Sequence, residues 1–360
     1  MKKKIAIAMS GGVDSTFAAI TLKEQGYDIF GITLQMYCHH HLAKENNLQI
    51  KEDAFSEVKQ ICDALKIPHI FISAENQFAK IVIEDFCKNY LNGKTPNPCV
   101  LCNKRIKWGL LLDRVLELGA THLATGHYAK IEYNQKQNRY YLKKGSDKTK
   151  DQSYFLWMLN QFQLSHTIFP LSKYTKNEIL KKIKAYKLPV ENKSESQEIC
   201  FVPDDDYKSF LQKRYPNQIF PGNILNLKGE IIGVHKGYPF YTIGQRKGLG
   251  LTSSHPLYVV EIRSKINEIV VGPKESLYSS ELYADNCNWI YFNKLDRTIT
   301  ADAKIRYQTE ESSCKIIPKG KEIKVVFGKP QLSITPGQSV VFYDEGYVIG
   351  GGVISKVNNV

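Results

Sequence analysis

Three cysteines and one glycine-rich loop carry the chemistry legible in this sequence. Cys99 and Cys102 lie in Thr95-Pro96-Asn97-Pro98-Cys99-Val100-Leu101-Cys102-Asn103. Cys200 lies far along the chain, in Ser196-Gln197-Glu198-Ile199-Cys200-Phe201-Val202-Pro203. The two prolines around Asn97 fix φ and predict a stiff, exposed turn. A helix is expected just after it, near Lys104-Arg105. A thiol beside a helix N-terminus and cations has a lowered pKa and is the better nucleophile. Three chemistries fit. A zinc site would use Cys99-x-x-Cys102 and draw on Cys38 with His39-His40-His41. A redox pair would follow a strand rather than prolines. A sulfur-transfer pair would put one thiol on each segment.

The loop is Ser10-Gly11-Gly12-Val13-Asp14-Ser15, between a first strand and a first helix. Two glycines let the backbone approach a phosphate, the helix N-terminus offers N–H groups, and Ser10 and Ser15 add hydroxyls. Asp14 beside phosphates calls for a metal, with Mg²⁺ the natural one. The loop lacks the Gly-Lys-Ser/Thr end of a Walker A motif and the G-x-G-x-x-G dinucleotide pattern.

The elements that must position these groups change character along the chain. Residues 4–9, 28–34, 69–72 and 121–124 read as strands, alternating with helices over 16–25, 53–65 and 105–118. Such alternation predicts a parallel sheet covered on both faces. Asn134–Lys150 is polar and lysine-rich and predicts an exposed hairpin. A helix is expected over Asp204–Arg214. Beyond it, short β-rich runs between Gly and Pro turns predict barrels or sandwiches. The expected division is 1–203, an α/β domain carrying the loop and the thiols; 204–274, a small β-rich middle domain; and 275–360, a C-terminal β-barrel.

SGGVDS resembles the signature of the PP-loop ATP pyrophosphatases, with their adenine nucleotide alpha hydrolase-like fold. TPNPCVLCN, ATGHY (124–128), DQSYFL (151–156), SQEICFVP (196–203) and YTIGQRKGLG (241–250) together resemble the bacterial tRNA-specific 2-thiouridylases. The likeness runs from residue 10 to 250 and extends to the tail ending in VIGGGVIS. It implies a tRNA-uridine 2-sulfurtransferase. ATP would adenylate the C2 oxygen of the wobble uridine in tRNAs for Lys, Glu and Gln, and a protein persulfide would then deliver sulfur. By this resemblance Cys102 is the nucleophile and Cys200 the persulfide carrier, the two able to form a disulfide, and Asp14 takes part with Mg²⁺. Ala8, Met9, Ser10, Gly11, Gly12, Val13, Asp14, Ser15, Leu34 and Gly126 match ATP-binding positions. Asn97, Pro98 and Cys99 match the segment beside the target base. His127, Lys150, Asp151, Gln152, Arg306, Tyr307 and Gln338 match tRNA-contacting positions. For His127, Asp151 and the strand residues of the tail, ordinary packing or capping is the competing reading. The chain departs from the family at Cys99, where many members carry Asp.

Charge agrees with a polyanionic partner. The 360 residues hold 49 Lys and Arg against 36 Asp and Glu, a formal net charge of +13. Of the basic residues 41 are lysine and 8 arginine, a skew that compositional bias also produces. Eight cysteines are too sparse for a disulfide scaffold. No apolar run is long enough to cross a bilayer, and the five-residue run Ile5–Met9 is too short for a signal sequence. A cytoplasmic enzyme is expected, with a sulfur-relay carrier or a cysteine desulfurase as donor. Two rivals remain: another PP-loop ligase, which needs no paired thiols, and a zinc-stabilised RNA-binding protein.

Overall fold

The computed structural model describes residues 3–36, 48–190 and 199–357, the backbone alone at 48–55. Cys38, His39-His40-His41 and Ser196-Gln197-Glu198 lie outside the described residues. By its contacts the chain forms two compact units. The first comprises Met1–Ile81, Cys99–Phe201 and Glu345–Val348, the second Val82–Pro98, Val202–Asp344 and Ile349–Val360.

The first unit is built on a parallel sheet. Its strands are β1 (Lys4–Ala8), β2 (Asp28–Gln35), β3 (His69–Ser73), β4 (His122–Ala124) and, after a hairpin of β5 (Ala129–Asn134) and β6 (Arg139–Lys144), β7 (Thr167–Ile168). The order is β3-β2-β1-β4-β7, and all four neighbouring pairs run parallel. Ile5, Ala6 and Ile7 are all fully buried, as a strand covered on both faces requires. Helix α1 (Val13–Glu24) lays Phe17 and Ile20 on this sheet beside Val58 and Ile61 of α2 (Leu48–Ala64).

The hairpin lies earlier than the composition of 134–150 predicts. Ile131 and Tyr133 pair across with Leu142 and Tyr140, apolar and aromatic cross-strand contacts that fix its register. The segment after it folds around two carboxylates instead. Asp147 Oδ1 accepts from Thr149 N at 2.9 Å, and Asp151 Oδ1 accepts from Gly145 N at 3.1 Å.

The second unit holds two β structures. β8 (Gly222–Leu225), β9 (Ile231–His235), β10 (Tyr258–Arg263) and β11 (Glu268–Gly272) run in the order β10-β11-β8-β9 around Ile224, Val259, Ile269 and Val271. Next come β12 (Tyr278–Trp289), β13 (Ile299–Lys304), β14 (Ser312–Lys319), β15 (Glu322–Leu332), β16 (Ser339–Asp344) and β17 (Tyr347–Val357). They follow the order β12-β15-β14-β13-β16-β17, and β12 also pairs with β17, so the sheet closes into a barrel. Inward residues alternate, as in Ile323, Val325 and Phe327. The helix expected from Asp204 starts at Tyr207, because Asp204 and Asp205 adopt positive φ and Asp206 caps by accepting from Ser209 N. This unit also takes in the helix Glu84–Leu91, whose Tyr90 stacks on Tyr207 at 4.8 Å.

Candidate active site

The chain leaves β1 at Ala8 and turns through Gly11, whose φ of +79° favours glycine. Gly12 caps α1 in extended conformation, with no side chain bonded to the first turn. The first N–H groups of the helix are thus available to an anion. Ser15 Oγ donates to Gly12 O at 3.0 Å and accepts from Ser10 N at 3.2 Å, which holds the loop open. β1 lies between β2 and β4, so the strand order reverses here, where open α/β sheets bind ligands. Gly126, just past β4, faces the loop so closely that a Cβ would stand 2.9 Å from the Asp14 carbonyl carbon and 3.0 Å from Ser15 N. Leu34, next to the end of β2, is half-buried. These residues suit a triphosphate: free helix N–H groups, a glycine turn, and a second glycine where any side chain would collide.

Asp14 has a protein cation where the sequence calls for a metal. Its Oδ1 accepts from Lys176 Nζ at 2.7 Å and from Tyr128 Oη at 2.7 Å. Lys176 is the first residue of the helix Lys176–Ile183, whose cap Thr175 forms a reciprocal pair with Glu178. Its backbone N donates to Asp147 Oδ2 at 2.9 Å. A cation in a first helical turn opposes the macrodipole. That local misfit is the sequence signal for Lys176, and Tyr128 carries none beyond its place in ATGHY.

Cys99 and Cys102 stand on one continuous helical stretch. It begins at Pro98, passes through Cys102 in right-handed helical geometry, and widens into a π-helix over Asn103–Leu111. Proline suits a first helical position. Starting there puts Cys102 a full turn inside the helix, away from its N-terminus. The expected lowering of the Cys102 pKa is therefore overturned: burial pushes the thiol up to about 11, against the opposing pull of Lys107. Pro96 and Pro98 are likewise buried rather than exposed.

Cys99 and Cys200 both reach solvent, yet the protein around them raises both thiols. Cys200 is pushed up to about 12, first by burial, then by the neighbouring sulfurs of Cys102 and Cys99, with Lys107 again opposing. The same lysine lowers Cys99 against its burial. The structure thus gathers Cys99, Cys102 and Cys200 around one half-buried cation that the sequence reading missed. Its signal is a lysine five residues beyond Cys102. Cys102 Sγ also lies 3.8 Å from the Met36 sulfur. Asn103 is 3% exposed; its Nδ2 donates to Phe155 O at 3.0 Å, and its Oδ1 has no partner. A buried orphan acceptor costs about 1–3 kcal/mol, and this one follows Cys102 directly in the chain. The described cysteines are all free thiols. Among the described residues no group of three or more His, Cys, Asp or Glu is placed to hold a metal.

Family models match almost the whole chain: a tRNA methyl transferase HUP domain over residues 3–204, a tRNA methyl transferase PRC-barrel domain over 208–273, and an aminomethyltransferase beta-barrel domain over 279–354. Curated relatives include the tRNA-specific 2-thiouridylase MnmA 2 of Thermoanaerobacter sp. (strain X514), 46% identical, with 99% of each chain covered. The tRNA-specific 2-thiouridylase MnmA of Halothermothrix orenii is 45% identical, over 98% of this chain and 99% of its own. That of Clostridium beijerinckii is 43% identical, over 99% of this chain and 100% of its own. The chain belongs to the tRNA-specific 2-thiouridylase family. The family models speak of methyl transfer, whereas these relatives are named for thiolation.

In this member of the 2-thiouridylase family, several positions expected to touch tRNA have protein partners. His127 packs 5.3 Å from Trp108 and 6.0 Å from Phe169, with Nδ1 2.8 Å from Thr125 Oγ1. Burial, aided by Lys107, holds it well below the usual imidazole range, so it is neutral at pH 7. Asp151 accepts from Ser153 Oγ at 2.8 Å and from Ser153 N at 3.2 Å, at the start of the turn Ser153–Leu156. Gln152 exchanges hydrogen bonds with the Tyr128 backbone at 3.1 and 2.9 Å. Lys150 is half-exposed. In the second unit Arg306 donates to Ser333 O at 2.7 Å, and Gln338 donates to Thr95 O and Pro96 O, each at 3.0 Å. Lys304 lies over the Tyr307 ring at 5.8 Å.

Proposed function

We propose that this chain 2-thiolates the wobble uridine of tRNAs for Lys, Glu and Gln, using ATP and a persulfide. The observation that carries this reading is the gathering of Cys99, Cys102 and Cys200 around Lys107, in the same unit as a loop suited to a triphosphate.

A C2 carbonyl oxygen is a very poor leaving group. The loop from Ala8 to Ser15, with Leu34 and Gly126, holds ATP so that the uridine O2 attacks the α-phosphorus and pyrophosphate leaves. Mg²⁺ bound with ATP would neutralise phosphate charge, and Asp14, its expected carboxylate ligand, would give up the Lys176 ion pair to hold it. Asn97, Pro98 and Cys99 hold the flipped base. The terminal sulfur of a Cys200 persulfide attacks C2, the C2–O bond breaks, and the oxygen leaves as part of AMP, with the base now joined to Cys200 through two sulfurs. The Cys102 thiolate then attacks Cys200 Sγ. The bond between Cys200 Sγ and the transferred sulfur breaks, thiocarbonyl remains on the base, and a 102–200 disulfide forms. An external thiol reduces that disulfide before the next turnover. A sulfur-relay carrier or a cysteine desulfurase reloads Cys200. Of the matched tRNA positions, Lys150 and Tyr307 would meet the RNA directly, whereas His127, Asp151, Gln152 and Arg306 would shape its binding surfaces through their protein partners. Residues 1–203 carry the chemistry, and 204–274 and 275–360 grip the RNA. The enzyme works in the cytoplasm; among the described residues no helix is long and apolar enough to cross a membrane.

The test is thiolation of unmodified tRNA with ATP, Mg²⁺, cysteine and a desulfurase, read by mercury-affinity gel shift and AMP release. Wild type gives both signals, and Cys102→Ser and Cys200→Ser lose the shift. Retained thiolation in both variants overturns the mechanism.

A further inference from the structure

Three stretches that the sequence assigns separately meet on one short segment of the second unit. The segment is Leu91–Pro96, directly before Asn97-Pro98 and the helix that carries Cys99 and Cys102. From the middle domain, Tyr238 Oη donates to Leu91 O at 2.6 Å, and Ser264 Oγ donates to Asn92 O at 3.1 Å. Thr95 Oγ1 lies 3.2 Å from Thr242 Oγ1, within the YTIGQRKGLG motif. From the barrel, the turn before β16 supplies the rest. Thr95 N donates to Pro336 O at 2.9 Å. Gly337, at φ +92°, lies so close that a Cβ would stand 2.8 Å from Thr95 O. Gln338 Nε2 uses its two hydrogens on the consecutive carbonyls of Thr95 and Pro96, both at 3.0 Å. Arg306 ties the two sources together: one guanidinium nitrogen donates to Ile243 O at 3.3 Å, to Ser333 O at 2.7 Å and to Thr335 Oγ1.

These bonds have a consistent logic. The carbonyl of Pro96 precedes Asn97 and the carbonyl of Thr95 precedes Pro96, so neither sits in a helix or a sheet ladder. Proline removes the N–H that would otherwise anchor each position. A segment with two prolines is stiff but has no backbone donors of its own at 96 and 98. Its placement must come from side chains reaching in, and a primary amide that donates twice is suited to two adjacent carbonyls.

We propose that Gln338 is a positioning residue, which fixes the target-base loop Asn97-Pro98 from the C-terminal barrel. Arg306 acts with it by locking the Thr335–Gln338 turn to the YTIGQRKGLG turn. The proposal rests on the reading that Asn97–Cys99 holds the target base. It explains why residues far from the thiols in sequence govern the loop beside them. It also gives the barrel a role in catalysis apart from RNA affinity.

Gln338→Leu removes both donors at similar size, and Gln338→Glu replaces them with acceptors. Each is compared with wild type for tRNA Kd by filter binding and for single-turnover thiolation at saturating tRNA. Thermal melting of each variant confirms the fold. Positioning predicts a thiolation rate down about tenfold or more with Kd changed less than about twofold. It also predicts partial recovery of Gln338→Glu at low pH, where a protonated Glu donates one bond. A Kd raised about tenfold with an unchanged rate at saturation overturns the proposal and makes Gln338 a direct tRNA contact. If Gln338→Leu fails to fold, Gln338→Glu alone decides by the same split. Asn97→Ala separates the underlying reading. Full activity there removes the target-base assignment and the proposal with it. Lost activity in Asn97→Ala with a wild-type rate in Gln338→Leu overturns the positioning role alone.

Discussion

Thiol reactivity is set residue by residue, and here burial wins over the nearby cation. With Cys102 pushed up to about 11, nearly all of it is protonated near neutral pH. Iodoacetamide labelling of Cys102, followed by peptide mass spectrometry, should rise about tenfold per pH unit from about pH 7 to 10. A plateau below pH 8 would mean the thiol is not raised. Lys107→Met removes the cation that opposes burial at all three thiols and should slow labelling of Cys99, Cys102 and Cys200 together. Cys99 is the other residue-scale question. Since the family pattern implies Asp at this position, Cys99→Asp should keep thiolation within about tenfold of wild type while Cys102→Ser abolishes it. The reverse result would move the nucleophile to Cys99. Lys176, paired with Asp14 at 2.7 Å, should matter for ATP and not for RNA. Lys176→Met is expected to raise the KM for ATP about tenfold while leaving tRNA Kd unchanged, because it removes a cation from a triphosphate site.

Elements decide whether those residues meet. The loop after β1 and the glycine after β4 face each other only because β1 and β4 are parallel neighbours, Ile5 beside His122 and Ile7 beside Ala124. Gly126→Ala would force a methyl group against loop backbone at 2.9 Å. It is expected to cost about 1–3 kcal/mol of stability and to weaken ATP binding, measured by denaturant melts with and without ATP. Wild-type ATP affinity in that variant would show that the crevice does not hold the nucleotide. The helix that begins at Pro98 rather than near Lys104 is the second decisive element. Four hydrophobic side chains, Val100, Ile106, Trp108 and Leu111, are buried along it. Their burial extends the helix back through both cysteines and removes the terminus that the cation-rich sequence implied.

At the scale of the molecule, the net charge of +13 predicts salt-sensitive binding. The logarithm of tRNA affinity should fall linearly with the logarithm of salt, with a slope of several units if several phosphates are contacted. A flat dependence would mean that the lysine excess is compositional.

Much of this was legible in the sequence because it is local. SGGVDS marks a glycine turn between a strand and a helix N-terminus, since glycines and helix termini act within a few residues. Alternating strands and helices followed by short β runs fix an α/β unit and a barrel, because hydrophobic periodicity encodes which faces are covered. The two cysteine segments point to sulfur chemistry by residue type. What tertiary structure alone decided are the partners brought from far along the chain. Lys176 reaches Asp14, Lys107 serves three thiols, and Gln338 reaches the carbonyls of Thr95 and Pro96. It also decided ionisation, which depends on how much water the fold removes and which charges it places nearby. Neither desolvation nor long-range contact leaves a mark at the residue itself, so the sequence could single out the cysteine segments and could not say that the fold raises their pKa values.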